Sequence, residues 1–240
     1  MLFYKYMRNK KLNDEAYKQI AKYYDELTNP KVLIAYKSII GKIKGLRMLD
    51  LGCGTGNLLK YYSSENKTFG IDESLEMIKI AKVKDKKTYY SIGDIKNFKI
   101  NSKFDIITCA FDTINHLPTL KNWEQLFKMV ITNLGDDGIF IFDFNTIKSF
   151  TNYNKQAIFK KIGKDYVLMR VEAEKQICFW KIDCFAKEPS GLFKHKEFII
   201  KEYSYPNKLI IKKIKKYFSI VNIINSDNNR VYIKVKKRVA

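Results

Sequence analysis

Glycines recur at every second position in the stretch LDLGCGTGN, residues 49–57, which follows an apolar run. Asp50 stands two residues before Gly52, and Gly54 and Gly56 follow. A glycine-rich loop between a strand and a helix lets the backbone approach a ligand and directs helix N–H groups towards it. The G-x-G-x-G spacing differs from the G-x-G-x-x-G of dinucleotide-binding loops, and the Lys-Ser or Lys-Thr pair of a Walker phosphate loop does not follow it. The acid, the spacing and the preceding strand together predict a ligand-binding loop.

Short apolar β-type segments alternate with helical patterns on either side of this loop. Five segments are rich in β-branched and aromatic residues, as is typical of strands buried on both faces; they are residues 46–51, 67–71, 88–92, 104–110 and 138–144. Residues 74–83 open with Ser74 in an N-cap position, and residues 119–134 place an apolar stripe on one helix face. This alternation predicts an α/β fold, a mostly parallel sheet with helices on both faces.

Two later regions depart from the alternation. Residues 155–203 are β-type without helices between the segments, which predicts an antiparallel meander inserted after the fifth strand. Residues 205–217 predict a helix, and two β segments joined by NSDNN predict a terminal hairpin with an antiparallel strand. We therefore predict three parts: N-terminal helices and a ligand-binding core over residues 1–150, a β lid over 151–203, and a final helix and hairpin over 204–240 that complete the core sheet.

Composition bounds the class of protein. With 46% hydrophobic residues, the chain of 240 residues has enough apolar material for a sizeable core. No apolar run approaches the ~18 residues of a membrane span, and no signal-peptide pattern opens the chain, so we expect a cytoplasmic protein without a membrane partner. Four cysteines without a CxxC pair and two histidines predict neither a metal site nor a disulfide framework.

The formal net charge of +20 has two interpretations. It is the electrostatic signature of a protein that binds nucleic acid. It is also what a Lys-, Asn- and Ile-rich chain from a codon-biased proteome carries, and the lysines are spread along the whole length. We favour the second interpretation, because only the C-terminal segments KLIIKKIKKYF and IKVKKR are densely basic.

The stretch LDLGCGTGNLL resembles the first motif of the class I S-adenosylmethionine-dependent methyltransferases, and later segments match that family's motifs in order. The resemblance covers about residues 15–150 and 204–238. It implies the class I methyltransferase fold, with seven strands and an antiparallel terminal strand. It also implies S-adenosylmethionine as the methyl donor and S-adenosylhomocysteine as the product.

The resemblance assigns a set of cofactor-binding residues. Asp72, at the end of the second strand, corresponds to the acid that holds both ribose hydroxyls. In SIGDI, Asp94 corresponds to the partner of the adenine amine and Ile95 to the residue on the ring face. The full set is Asp50, Gly52, Cys53, Gly54, Gly56, Asp72, Met77, Asp94, Ile95, Ala110 and Phe111. Five have simpler interpretations that stay open: Asp50 and Asp72 as helix caps, Asp94 as the cap of a turn, Met77 as a core residue, and Cys53 as a small buried side chain.

The acceptor region is assigned from two segments. The loop AFDTINHLP resembles that of small-molecule members, including those that N-methylate nucleotide-linked amino sugars, and AKYYDEL resembles their N-terminal helix with its Tyr-Asp pair. His116 is the leading general-base candidate, because its ordinary pKa suits proton removal near neutrality; a role as a helix cap stays open. Tyr24 is the second catalytic candidate, and the predicted substrate-binding residues are Tyr23, Asp112, Asn115 and Asp143.

The sequence thus predicts methyl transfer to nitrogen or oxygen of a small polar acceptor by in-line displacement, without a metal. A homodimer formed through the inserted strands is a further expectation. Two alternatives stay open. One is an RNA or protein methyltransferase that uses the basic surface, and the other is a protein that binds S-adenosylmethionine without catalysis.

Overall fold

The computed structural model describes residues 12–226 and 229–238, which form eleven strands and eight α-helices. The strands are β1 (Arg47–Leu51), β2 (Lys67–Asp72), β3 (Tyr89–Ile92), β4 (Phe104–Cys109), β5 (Leu134–Asn145), β6 (Ala157–Ile162), β7 (Asp165–Glu174), β8 (Ile177–Lys187), β9 (Phe193–Tyr203), β10 (Phe218–Asn225) and β11 (Arg230–Lys237). The helices are α1 (Leu12–Ile20), α2 (Tyr24–Leu27), α3 (Pro30–Ile40), α4 (Asn57–Tyr62), α5 (Leu75–Lys84), α6 (Leu120–Asn133), α7 (Ile147–Tyr153) and α8 (Asn207–Tyr217). Single 3₁₀ turns lie at Ala21–Tyr23 and Thr113–His116.

The core is a seven-stranded sheet in the order β10-β11-β5-β4-β1-β2-β3. Strands β1 to β5 pair in parallel, whereas β11 is antiparallel to both β5 and β10. The predicted fold class is therefore confirmed, including the antiparallel terminal strand. Because the chain proceeds from β1 to β2 on one side and returns to β4 on the other, a crevice opens at the carboxyl ends of β1 and β4.

The sheet strands are apolar because both faces are covered. Leu49, Leu51 and Ile107 are fully buried and pack with the apolar stripe of α6, where Trp123 and Phe127 are also inaccessible. The stripe explains why the sequence predicts this helix to within a residue at each end. The strands and α6 hold the loops at the carboxyl edge in fixed positions.

The predicted meander forms a separate four-stranded antiparallel sheet, here called the lid sheet, in the order β6-β7-β8-β9. Its first strand, β6, is not among the segments that the sequence analysis picks out individually. One face of the lid sheet packs against α1, with Val167 and Met169 against Ala16 and Ile20. The helices over residues 12–27, here called the roof helices, are therefore held against the lid sheet by apolar burial.

Candidate functional site

A cavity of about 650 Å³ lies at the carboxyl ends of β1, β2 and β4, beneath the roof helices. This volume is within the usual range for small-molecule sites. Its lining on the side of the core sheet is Gly52, Gly54, Asp72, Glu73, Ser74, Met77, Asp94, Ile95, Lys96 and Phe111. The rest of the lining comes from the roof helices, from the segment between β4 and α6 with the first turn of α6, and from β9; these residues are Asn13, Tyr17, Tyr24, Thr113, His116, Leu117, Pro118, Asn122, Lys201 and Tyr203. The cleft thus combines residues that are as far apart in the chain as Asn13 and Tyr203.

The glycine loop, residues 52–56, has two positions where a side chain does not fit. Gly52 has φ +73°, and a Cβ there would lie 2.3 Å from Cγ2 of Thr113. Gly56 has φ +79°, and a Cβ there would lie 2.3 Å from the hydroxyl of Tyr90. Gly52 lines the cleft, whereas Gly56 faces the buried Tyr90. The two glycines therefore let the loop pack closely on two neighbours: Gly52 on Thr113, at the cleft, and Gly56 on Tyr90, in the domain interior.

Replacing Gly56 by Ala is expected to lower the free energy of unfolding by about 2 kcal/mol, through positive-φ strain and the collision with Tyr90. Gly163→Ala is the matched control, because Gly163 has φ +58° but a Cβ there would meet no atom within 4 Å. Chemical denaturation of both variants measures the difference. Equal losses in the two variants would contradict the packing role of Tyr90.

Asp72 shapes the glycine loop and faces the cleft at the same time. Its Oδ2 accepts a hydrogen bond from the Gly54 amide at 2.9 Å, and its Oδ1 accepts one from the Ser74 amide at 2.9 Å. Ser74 itself caps α5, since its hydroxyl accepts from the Met77 amide at 3.3 Å. A carboxylate has about four acceptor positions, so these two bonds are compatible with bidentate binding of a diol. The capping and ligand-binding interpretations of Asp72 are therefore compatible.

Asp94 lies at the far end of the cleft, in the turn after β3. It accepts hydrogen bonds from the backbone amide of Lys96 at 2.8 Å and from its ammonium group at 2.7 Å. Partial burial acts to raise the pKa of Asp94, but these bonds outweigh it and lower the pKa below its usual value. Ile95 is buried beside it, and Met77, only 1% exposed, belongs to both the core and the cleft lining.

Three residues predicted to bind cofactor, besides Gly56, lie outside the cleft lining. Asp50 is buried behind the glycine loop, where it accepts a hydrogen bond from the Thr108 hydroxyl at 2.7 Å. Burial raises the pKa of Asp50 to about 7. Cys53 and Ala110 are both buried in the core on the α3 side of the sheet. The structure gives these side chains a place in the packing that supports the loops.

The roof helices present one face to the cleft. Asn13, Tyr17 and Tyr24 line it, and their spacing of four and seven residues keeps them on one side of a helical segment. Tyr24 lies directly above the glycine loop, and a Cβ on Gly54 would lie 3.4 Å from its Cε1. Tyr24 is among the residues predicted from the sequence. Asn13 and Tyr17 are not, although their helical spacing from Tyr24 is a usable signal.

Tyr23, which is predicted as a substrate-binding residue, does not line the cleft. Its side chain is buried against the lid sheet, and its hydroxyl donates to Oδ2 of Asp165 at 2.7 Å. Lys22 binds the same carboxylate oxygen at 3.0 Å. The physical reason is helical geometry: adjacent residues on a helix point in directions about 100° apart, so Tyr23 and Tyr24 face different surroundings.

His116 lies in the cleft wall, and both of its ring nitrogens have partners. Nε2 is 2.9 Å from the Tyr17 hydroxyl, and Nδ1 is 3.2 Å from the carbonyl oxygen of Lys201. Burial lowers the pKa of His116 below its usual value and raises the pKa of Tyr17 well above its own. At neutral pH the pair is therefore a neutral imidazole beside a neutral phenol. Nδ1 is also 3.2 Å from the side-chain nitrogen of Asn13, but that nitrogen donates to the Lys201 carbonyl oxygen at 2.9 Å. We therefore assign the proton to Nδ1, donating to Lys201, which leaves Nε2 to accept from Tyr17.

Asn13 completes this part of the cleft wall. Its amide nitrogen donates to the carbonyl oxygen of Lys201 at 2.9 Å, and its amide oxygen accepts from the Lys201 backbone amide at 2.8 Å. This paired contact satisfies the backbone of β9 where it forms the edge of the lid sheet. It fixes the beginning of α1 beside His116.

The other three predicted substrate-binding residues, Asp112, Asn115 and Asp143, are also placed behind the cleft lining. Asp143 is fully buried, accepts from the Tyr36 hydroxyl at 2.6 Å, and pairs with the guanidinium of Arg230. Arg230 also binds Asp112 at 2.8 Å. Buried carboxylates require such partners, so Asp143 cannot face a substrate without breaking this network.

The network has a structural consequence for the loop after β4. Phe111 and Asp112 have φ of +57° and +51°, a conformation that costs energy in residues other than glycine. The Asp112 amide donates to Asp143 at 3.0 Å, and Asn115 donates to the carbonyl oxygens of Asn145 and Tyr203 at 3.0 and 2.9 Å. These contacts hold the strained loop so that Phe111 and His116 face the cleft.

Glu202 joins the same network from the lid sheet and is missed by the sequence analysis. It is buried, and its Oε2 accepts from the side-chain amide of Asn145 at 3.1 Å. Burial raises the pKa of Glu202 to about 8. In the sequence it lies in an apolar strand among lysines and gives no signal of a buried position.

A family model described as a methyltransferase domain matches residues 42–176 of the chain. An uncharacterized protein of Methanocaldococcus jannaschii is 40% identical over 144 residues, which are 58% of this chain and 54% of that protein. A Streptomyces fradiae protein named as a dTDP-3-amino-3,6-dideoxy-α-D-glucopyranose N,N-dimethyltransferase is 26% identical over 41% of this chain and 39% of its own length. The matches thus span about half or less of these curated relatives.

A crystal structure of an S-adenosylmethionine-dependent methyltransferase from Clostridium acetobutylicum superposes with a TM-score of 0.78. The superposition covers 93% of this chain and 100% of that one, at 24% sequence identity. The likeness shows that the two chains share a fold. Within residues 12–226 and 229–238, every helix is too short or too polar to traverse a membrane.

Proposed function

The chain belongs to the S-adenosylmethionine-dependent class I methyltransferases, and we propose that it methylates an amine nitrogen of a small polar acceptor. The Tyr17–His116 pair carries this proposal, because it places a neutral proton acceptor in the wall of the cleft that the glycine loop also lines. The relatives include one named for N,N-dimethylation of a nucleotide-linked amino sugar. Amino sugars of this kind are therefore the first acceptors to test.

The cleft residues fit the cofactor. Gly52 and Gly54 line the cleft with backbone, and the Asp72 carboxylate beside them would bind the ribose hydroxyls. Asp94 and Ile95 also line the cleft, and they would supply a hydrogen-bond acceptor and an apolar surface for the adenine. When bound, S-adenosylmethionine supplies a methyl group on a sulfonium, which is activated for in-line displacement. The protein then accelerates the reaction by aligning the acceptor with the methyl group, by excluding water and by removing a proton.

The proton path follows from the assigned tautomer. The acceptor amine attacks as a neutral nucleophile, and after methyl transfer the resulting ammonium carries an excess proton. Tyr17 accepts that proton at its hydroxyl oxygen while its own proton passes to Nε2 of His116. Tyr17 stays neutral throughout, and His116 becomes an imidazolium that releases its proton to solvent when the product leaves. This step requires neutral His116, which its burial favours.

The enclosure of the cleft supports a small acceptor. Asn13, Tyr17 and Tyr24 cover it from the roof helices, and Lys201 and Tyr203 on the edge of the lid sheet border it.

Two expectations from the sequence stay predictions. The first is a homodimer formed through the lid sheet, where the Phe159 side chain is 65% exposed and would be an apolar contact. The second is the division of the chain into three parts.

The proposal is tested with S-adenosylmethionine that carries a labelled methyl group, incubated with the protein and a cell extract. We expect label in the small-molecule fraction, and a defined panel of nucleotide-linked amino sugars and free amines then identifies the acceptor. Label in RNA or protein would overturn the proposal and assign a function to the net charge of +20. Cofactor binding without transfer to any fraction would indicate a non-catalytic protein.

A further inference from the structure

Asp25 binds three parts of the core domain from its position in the roof helices. Its carboxylate accepts hydrogen bonds from the hydroxyl of Thr55 at 2.5 Å and from the side-chain amide of Asn57 at 2.9 Å, and it pairs with Lys84 at 2.5 Å. Thr55 lies between two glycines of the glycine loop, Asn57 begins α4, and Lys84 ends α5. Asp25 is the acid of the Tyr-Asp pair in AKYYDEL, which the resemblance places at the acceptor, but it is not among the residues that line the cleft.

The contacts of the roof helices differ at their two sides. Towards the lid sheet they combine apolar burial, as of Ala16 and Ile20, with the hydrogen bonds of Tyr23 and Asn13. Towards the core domain, the three polar contacts named above converge on Asp25, and Tyr17 also bonds to His116 in the loop after β4. The roof helices are thus bound to the lid sheet over an apolar surface, and to the core domain through the Asp25 carboxylate and the Tyr17–His116 bond.

The bonds of Asp25 are suited to reversible opening. The Asp25 side chain is 41% exposed and that of Lys84 is 17% exposed, so water replaces their contact when it breaks. Burial acts to raise the pKa of Asp25, but the bonds from Lys84, Thr55 and Asn57 outweigh it and lower the pKa. The carboxylate is therefore ionised at neutral pH and makes charge-assisted bonds, which are stronger than neutral ones.

We propose that Asp25 is a latch that holds the roof helices closed over the glycine loop and thereby sets the rate at which cofactor and product exchange. The proposal rests on the assignment of the cleft as the cofactor site. Asp25 acts as a positioning residue, because its bonds reach the loop and not the cleft. Opening the latch separates Tyr24 from Gly54 and exposes the floor on which the cofactor lies.

The latch makes a distinctive kinetic prediction. Its bonds join two segments of the protein and involve no side chain of the cleft lining, so they stabilise the closed form whether or not the cleft is filled. A group that stabilises the free and the bound form equally leaves the binding equilibrium unchanged. Loss of the latch is therefore expected to raise the association and dissociation rate constants together. Loss of a residue that touches the ligand would instead raise the dissociation rate constant alone, and so raise Kd.

The test measures S-adenosylhomocysteine exchange, with association followed by stopped-flow fluorescence and dissociation by isotope chase. For Asp25→Ala we expect both rate constants to rise about tenfold, with Kd within about twofold of the unmodified protein. Lys84→Met removes one of the three partners and is expected to give a smaller rise of the same kind. Glu124→Gln is the matched control, because Glu124 pairs with Lys213 and Lys216 on α8 and does not line the cleft.

Three results would overturn the latch. They are unchanged rate constants in both Asp25→Ala and Lys84→Met, a weaker Kd with an unchanged association rate constant, or an equal acceleration in Glu124→Gln. Thermal melting shows whether Asp25→Ala is folded, and if it is not, Lys84→Met decides the question. Failure of the unmodified protein to bind S-adenosylhomocysteine would instead refute the cofactor assignment, so the two failures are distinguishable.

Discussion

Asp72→Ala is expected to abolish measurable binding of S-adenosylmethionine. The carboxylate offers two charge-assisted hydrogen bonds to a ribose diol, and their loss lowers affinity by about a thousandfold. The substitution also removes the acceptor of the Gly54 amide, so the floor of the cleft loses a support as well as a ligand contact. Isothermal titration calorimetry measures the effect. Micromolar affinity retained in the variant would contradict the site assignment.

Ser74→Ala is the matched control for this variant, because Asp72 and Ser74 both act at the beginning of α5. Ser74 caps the helix, and loss of such a cap costs about 1 kcal/mol of stability. We expect Ser74→Ala to lower the thermal midpoint and to keep most of the affinity. If both variants lost affinity equally, Asp72 would act through the helix and not through the ribose.

Tyr17→Phe and His116→Ala are each expected to lower kcat about a hundredfold while leaving the Kd for S-adenosylmethionine nearly unchanged. General acid–base groups contribute factors of this size, and the two residues form one proton path through a 2.9 Å hydrogen bond. The double variant is expected to be little slower than either single variant, because one break already interrupts the path. The measurement is methyl transfer to the acceptor identified by labelling.

Tyr23→Phe is the control for Tyr17→Phe, since Tyr23 lies on the same roof helices but donates to Asp165 of the lid sheet. It is expected to lower stability and to leave kcat within about twofold, because the lost bond lies outside the cleft. A comparable loss of kcat in Tyr23→Phe would show that roof stability limits the rate in both variants.

The pH dependence gives an independent readout of His116. The pathway needs the neutral imidazole, and burial lowers its pKa below the usual value. The ratio of the rate of the unmodified protein to that of His116→Ala is therefore expected to be constant near neutral pH and to fall as the pH drops through this lowered pKa. Protonation of the acceptor amine slows both proteins alike, so it cancels in this ratio. A decline that set in just below neutral pH, at the ordinary pKa of histidine, would contradict a buried His116.

Much of the fold is predictable because its signals are local. The apolar strands, the stripe of α6 and the glycine spacing each depend on residues within about four helical turns of one another. The cleft-lining residues that are predicted from the sequence lie at strand ends or in loop motifs. Asp72, Asp94 and Phe111 are examples. Tyr23 lies outside the cleft lining, unlike Tyr24, because a dipeptide motif does not specify which way each helical residue points.

The sequence by itself determined the class of fold, the cofactor motif and the segments that bear the cleft, because propensity and periodicity act between neighbours in the chain. Only the tertiary structure decided which polar groups face the cleft and which support it. Asp143 meets Arg230 across 87 residues, Tyr17 meets His116 across 99, and Asn13 meets Lys201 across 188. Packing of the whole domain brings such partners together. A local sequence pattern therefore does not predict whether a carboxylate is paired in the interior or faces a ligand.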